Sequence, residues 1–195
     1  MAGLTMKFQK FTTLEIVLMA VLAVANAVIT MYLSLANKAL TALGGPIATS
    51  TIVGLYMIYG LLAVYIIRKP GTALLTYLMG GIIQSLLGNA YGIAASIVAA
   101  LSYAAALELV FALTRYKRWD RFTMAIAGCA MVPLWFVFAA YMFGYIEWGA
   151  KLLIVTFVVR CVSGTLLCGL LCKWLGDMMA RTGLLRSFAV SKDGK

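Results

Sequence analysis

The chain has 195 residues, 64% of them apolar and only 11% charged, with a mean hydropathy of +1.01. A soluble domain carries roughly 45–50% apolar and about 25% charged residues, so the composition excludes an ordinary water-facing surface and indicates an integral membrane protein. A spanning helix needs about 20 apolar residues, which leaves no room for a soluble catalytic or nucleotide-binding domain, and the absence of histidine excludes His-ligated metal and His-based catalysis.

Six apolar stretches follow one another, at residues 14–36, 48–67, 72–87, 92–114, 123–146 and 152–175. Gly44-Gly45-Pro46 precedes the second, Arg68-Lys69-Pro70-Gly71 forms a tight turn before the third, and Gly88-Asn89-Ala90-Tyr91-Gly92 separates the third from the fourth. The runs are long and continuous rather than alternating, which favours helices over barrel strands. The expected fold is all-α: one six-helix transmembrane domain over 1–195, with tails at 1–13 and 181–195.

The net charge of +10 has a topological reading. Lys7, Lys10, Arg68, Lys69, Arg115, Lys117, Arg118, Arg121, Lys173, Arg181, Arg186, Lys192 and Lys195 fall on one side of the alternating spans. The other side receives Lys38 and Lys151. Positive loops face the cytoplasm, so both termini are expected there and nucleic acid is not expected as a partner; the lipid bilayer is, since basic loops also attract anionic headgroups. Lys7 and Lys10, an apolar run and Ala25-Asn26-Ala27 imitate a cleaved secretory signal, but the run continues to Leu35, as a retained span would.

Polar side chains at membrane depth are expensive and mark function by default. Glu108 lies well inside span 4 and Arg160 inside span 6; they either pair with each other or contact a polar ligand. Thr156, Arg160, Ser163 and Gly164 share one face of span 6. Gly80, Gly81, Gln84 and Gly88 do the same on span 3, with Asn89 at its end. In span 5, Phe138, Tyr141, Tyr145 and Trp148 follow 3, 4, 3 spacing and form one stripe, either an interfacial aromatic belt or a stacking wall for a flat ligand. Trp135 is assigned to packing, and Pro133 is a candidate kink. Ala20, Ala23 and Ala27 make a small-residue face on span 1 suited to close approach by another helix, within the bundle or from a partner. Cys129, Cys161, Cys168 and Cys172 read as packing residues, and no metal site is expected. There is no Walker motif, so a polar cavity without an engine suggests a capture subunit that borrows one.

Ile67-Arg68-Lys69-Pro70-Gly71 with Ala73-Leu74, Leu86-Leu87-Gly88-Asn89 with Gly92, Glu108 with Val110-Phe111 and Thr114-Arg115, and Arg160 with Ser163-Gly164 and Leu166-Leu167 together resemble the substrate-binding S-components of energy-coupling-factor (ECF) vitamin transporters. Within that family they look like the YkoE type, assigned to thiamine or its hydroxymethylpyrimidine precursor. The resemblance covers almost the whole chain. It implies a prokaryotic plasma-membrane subunit that is not an enzyme and binds no cofactor. Such a subunit takes a vitamin from outside, docks through helix 1 on a transmembrane coupling subunit, and relies on two cytosolic ATPases to use ATP. It is thought to release the vitamin by toppling in the membrane. On this reading Gln84, Asn89, Glu108 and Arg160 would meet the vitamin with the span-5 aromatics, Glu108 as principal polar contact, and Ala20, Ala23 and Ala27 would dock. An S-component for a different vitamin and a permease working alone stay open.

Overall fold

The computed structural model describes residues 10–88 and 91–192. Among them there is no strand; six helices carry the fold: α1 (Thr13–Ser50), α2 (Val53–Ile67), α3 (Thr72–Leu87), α4 (Ile93–Leu113), α5 (Arg121–Met142) and α6 (Ala150–Arg181). Four of them, α1, α4, α5 and α6, are long and apolar enough to cross a membrane; α2 and α3, at 15 and 16 residues, are shorter. A wide coat of exposed Val, Leu, Ile and Phe side chains surrounds the bundle, as a lipid-facing surface requires.

Local chemistry sets the boundaries. Thr12 caps α1 in a reciprocal box: its hydroxyl accepts from the Glu15 amide at 3.3 Å, and the Glu15 carboxylate accepts from the Thr12 amide at 2.7 Å. Where the hydropathy suggested an end near residue 36, α1 runs on to Gly44 and Gly45. Gly45 adopts φ +59°, ψ −149°, a conformation open to glycine. Pro46 then starts a last turn ending at Ser50. Asp120 caps α5 through the Thr123 amide and hydroxyl. α6 runs past the apolar stretch at 152–175 to Arg181, and within it a π-helical segment, Gly164–Leu170, joins Ala150–Ser163 to Leu171–Arg181 without a break.

α2 is apolar all round and nearly everywhere buried, as a helix without a lipid face must be. It is the post around which the others stand. The closest packing is between α5 and α6, where backbone meets backbone: a Cβ on Gly128 would lie 2.3 Å from the Gly164 carbonyl oxygen, and one on Gly164 would lie 2.6 Å from that of Gly128. Ser163 registers the same helix on the α1–α2 junction, donating to the Thr51 carbonyl at 2.7 Å and accepting from the Gly54 amide at 3.0 Å.

The small-residue face of α1 turns inward. Ala23 and Ala27 are sealed in the bundle and Ala20 is half-buried, with Met19, Asn26 and Thr30 buried beside them. The expectation that these alanines present a docking surface is corrected: small residues let α1 lie close to its own neighbours. The exposed ridge of α1 is Val17, Val21, Val24 and Val28.

Because backbone cannot move aside as a flexible side chain can, Gly128→Ala should destabilise the bundle by about 1–3 kcal/mol, read as a lowered unfolding temperature of the purified protein in detergent.

Candidate functional site

The loops carrying basic residues meet at one end of the bundle. Lys69 donates to the Glu15 carboxylate at 2.8 Å and to the Lys10 carbonyl at 3.1 Å, joining the α2–α3 turn to the start of α1. Arg68 lies over the Trp119 ring at 4.9 Å, joining that turn to the α4–α5 loop. Lys173 of α6 pairs with Asp177 at 3.2 Å and donates to the Tyr65 hydroxyl at 2.9 Å; Tyr65 in turn donates to Asp177.

Glu108 belongs to this basic end. One carboxylate oxygen accepts from the Ala73 amide at 3.1 Å, in the first turn of α3, where a negative charge also suits the helix dipole. The other accepts from the Tyr116 hydroxyl. Burial and the adjacent carboxylate push the Tyr116 phenol above its ordinary range, so the hydroxyl stays protonated and donates. Glu108 does not reach Arg160, and it does not line the cavity described next. Its expected role as principal ligand contact is corrected: it clamps α4 and its following loop to the start of α3. Alanine in its place should cost about 1–3 kcal/mol and lower the melting temperature, while the distant cavity keeps its shape.

The cavity, of about 140 Å³, opens at the opposite end. Its walls are the N-terminal part of α2 (Val53, Tyr56, Tyr59), the C-terminal part of α3 (Gly81, Gln84) and the N-terminal part of α4 with Tyr91 before it (Ala95, Ser96, Ala99, Ala100, Tyr103). Thr30, Asn37 and Thr49 of α1, Trp135 of α5, Phe143 and Tyr145 after it, and Arg160 of α6 complete it. The rings form a continuous edge-to-face chain: Tyr56 on Tyr91, Tyr91 on Phe143, Phe143 on Trp135, Trp135 on Tyr103. Amides, hydroxyls and one guanidinium are spaced among them.

Arg160 is 5% exposed. Its Nε donates to the Ser50 hydroxyl at 3.1 Å and a terminal nitrogen to the Tyr145 hydroxyl at 3.2 Å. The guanidinium lies 5.1 Å from the Phe136 ring centre and 4.9 Å from that of Tyr145, within cation–π range. Thr156, Ser163 and Gly164 on the same face are also buried.

The expected residues therefore divide. Gln84, Tyr145 and Arg160 line the cavity. Trp148 stands behind it, stacked on Tyr145 with ring centres 4.1 Å apart. Phe138 and Tyr141 are exposed on the outer surface of α5, Tyr141 at 74%. Their stripe fails because α5 ends at Met142 and Gly144, at φ +68°, turns the chain into the short 3₁₀ helix Tyr145–Trp148. Periodicity cannot be extended through that turn, and Phe143 and Trp135 occupy the wall instead; Trp135 is more than packing. Asn89 lies outside the described residues. Tyr56, Tyr59, Tyr91 and Tyr103 carried no signal, since tyrosines scattered through apolar helices mark no face. Thr30 and Asn37, seven residues apart on α1, could have been read as one polar face.

Among the described residues no three His, Cys, Asp or Glu side chains come together as a metal site, and the four cysteines are free.

Comparison with known proteins agrees with this architecture. The family model for the permease component of an ABC-type cobalt transport system matches residues 14–134. The HMP/thiamine permease protein YkoE of Bacillus subtilis (strain 168) is 34% identical over 181 residues, 93% of this chain and 90% of that protein. The crystal structure of an S-component of an ECF transporter superposes with a TM-score of 0.86 at 33% identity, covering 94% of this chain and 93% of the other. These relatives are membrane transport subunits and not enzymes. With a six-helix bundle, a lipid-facing coat and likeness along nearly its whole length, the chain belongs to the S-component family of ECF transporters.

Proposed function

We propose that the chain captures thiamine or its hydroxymethylpyrimidine precursor in the aromatic cavity and delivers it as part of an ATP-driven ECF uptake system. The carrying observation is the cavity itself: an aromatic wall with amide and hydroxyl groups, in a chain 34% identical to a protein named as an HMP/thiamine permease. A flat aminopyrimidine suits this lining. Its faces match the rings of Tyr103, Trp135 and Phe143, and its amine and ring nitrogens match the amides of Gln84 and Asn37.

Orientation follows from charge. The basic end and both termini lie in the cytoplasm, and the cavity opens outward. The chain has no nucleotide-binding motif, so the energy comes from a coupling subunit and two ATPases. Docking uses the exposed ridge of α1, Val17, Val21, Val24 and Val28; of the four long helices, α1 has the least-buried apolar window, 28% against 33–44%.

Calorimetry of the purified chain with thiamine and with hydroxymethylpyrimidine tests the capture step. At least one should bind, and Gln84→Leu should weaken that binding about ten-fold by removing one good hydrogen bond. No heat with either compound overturns the proposal. Val24→Trp should block ATP-driven uptake by the assembled transporter with ligand affinity unchanged; undiminished uptake removes this ridge from the docking surface. Uptake into liposomes holding this chain alone would instead identify a permease needing no partner.

A further inference from the structure

We infer that the basic end of the bundle holds the headgroup of one anionic phospholipid, in a second cavity between α5 and α6. The inference is independent of the vitamin-binding reading and requires only that the chain is embedded in a bilayer.

This cavity, of about 590 Å³, has a wall of two parallel ridges on the last turns of α6. Lys173, Asp177 and Arg181 recur at i, i+4 and i+8, and so do Leu170, Trp174 and Met178. One ridge is ionic, the other apolar, and they run side by side. Arg121, in the first turn of α5, closes the cavity from the opposite side. The apolar ridge is exposed, Trp174 at 59%. An indole beside basic side chains at a helix end is placed as at a membrane–water interface. Lys173 lies eight residues before Arg181, about 12 Å along the axis, so the ionic ridge runs from the helix end into the depth of the bilayer.

The charges are unevenly matched. Lys173 spends two of its three N–H groups, on Asp177 and on the Tyr65 hydroxyl, and Asp177 also accepts from Tyr65. The cavity's one carboxylate is thereby neutralised. Arg121 and Arg181 pair with no carboxylate among the described residues: Glu15 is bound to Lys69, Glu108 to Ala73 and Tyr116, and Asp120 to Thr123. Each guanidinium carries five donors and no acceptor, in a fork that matches two phosphate oxygens. A soluble phosphate would use the ionic ridge alone. A phospholipid uses both, its phosphate on Arg121, Arg181 and the remaining Lys173 donor, and an acyl chain along Leu170, Trp174 and Met178. A zwitterionic headgroup brings its own ammonium, which the arginines repel; an anionic one does not. Basic pockets between transmembrane helices hold anionic headgroups by this chemistry.

Native mass spectrometry of the full chain in a neutral detergent, titrated with phosphatidylglycerol, tests this, with phosphatidylcholine and inorganic phosphate titrated in parallel. One phosphatidylglycerol should stay bound per chain, and the other two should bind about ten-fold more weakly or worse. The double variant Arg121→Gln/Arg181→Gln should weaken phosphatidylglycerol binding about ten-fold or more. Lys117→Gln/Arg118→Gln, which removes the same charge outside the cavity, should leave it nearly unchanged. If the first double variant fails to fold, Arg181→Gln alone, at an exposed position, should still weaken binding several-fold. Equal affinity for phosphatidylglycerol and phosphatidylcholine overturns the inference, as does an equal loss in both double variants, since charge would then act without the cavity. Inorganic phosphate binding as tightly as the lipid overturns it too and identifies a soluble-phosphate site. No vitamin enters these titrations, so their failure leaves the capture proposal standing.

Discussion

Taking a guanidinium out of water costs several kcal/mol unless the protein itself supplies partners, and Arg160 draws its partners from three places. Ser50 arrives because α1 kinks at Gly44-Gly45 and sends its last turn back over the bundle. Tyr145 arrives because the chain turns at Gly144 after α5. Phe136 comes from the regular part of α5. The irregular features at this end of the molecule thus converge on one side chain, and the cavity is the space left beside it.

That arrangement depends in turn on where α6 stands. The glycine contact between Gly128 and Gly164 presses α6 against α5 at backbone distance, and the π-helical segment that follows shifts the register of the helix beyond it. Ser163, one residue before the segment, fastens α6 to Thr51 and Gly54. One turn toward the cavity end, Arg160 then meets Ser50. Glycine packing therefore sets α6, Ser163 sets the α1–α2 junction, and together they set the guanidinium.

Much of this was legible in the sequence. Continuous apolar runs and their breakers located six helices, and the stripe of Thr156, Arg160 and Ser163 marked an inward face, because a polar stripe cannot face lipid. Gln84 was legible for the same reason. Glu108 misled because membrane depth says that a charge is held, not by what: its partner is a neighbouring helix's first turn, a contact visible only once α3 and α4 are side by side. The span-5 stripe misled because a single positive-φ glycine resets the phase of every residue after it. Ala23 and Ala27 show the ambiguity of small residues, which permit close approach from either side of a helix. Tyr56 and Tyr59 stayed hidden because α2 is apolar on every side.

The two ends of the bundle are built by different means, and the difference bears on transport. The basic end is tied by charge-assisted bonds among Glu15, Lys69, Glu108, Lys173 and Asp177. The cavity end is held by neutral hydroxyls and ring edges around one cation. Between them Met57, Tyr77, Leu107 and Met131 are completely buried, and Tyr77 adds a hydrogen bond to the Met57 carbonyl. A ligand resting in the cavity therefore meets close-packed side chains, then an ionic clamp, along the bundle axis. Opening that route would mean breaking the core and the clamp together, whereas turning the bundle as a body breaks neither. Under the proposed uptake function, movement of the bundle as a body is the route that leaves both intact.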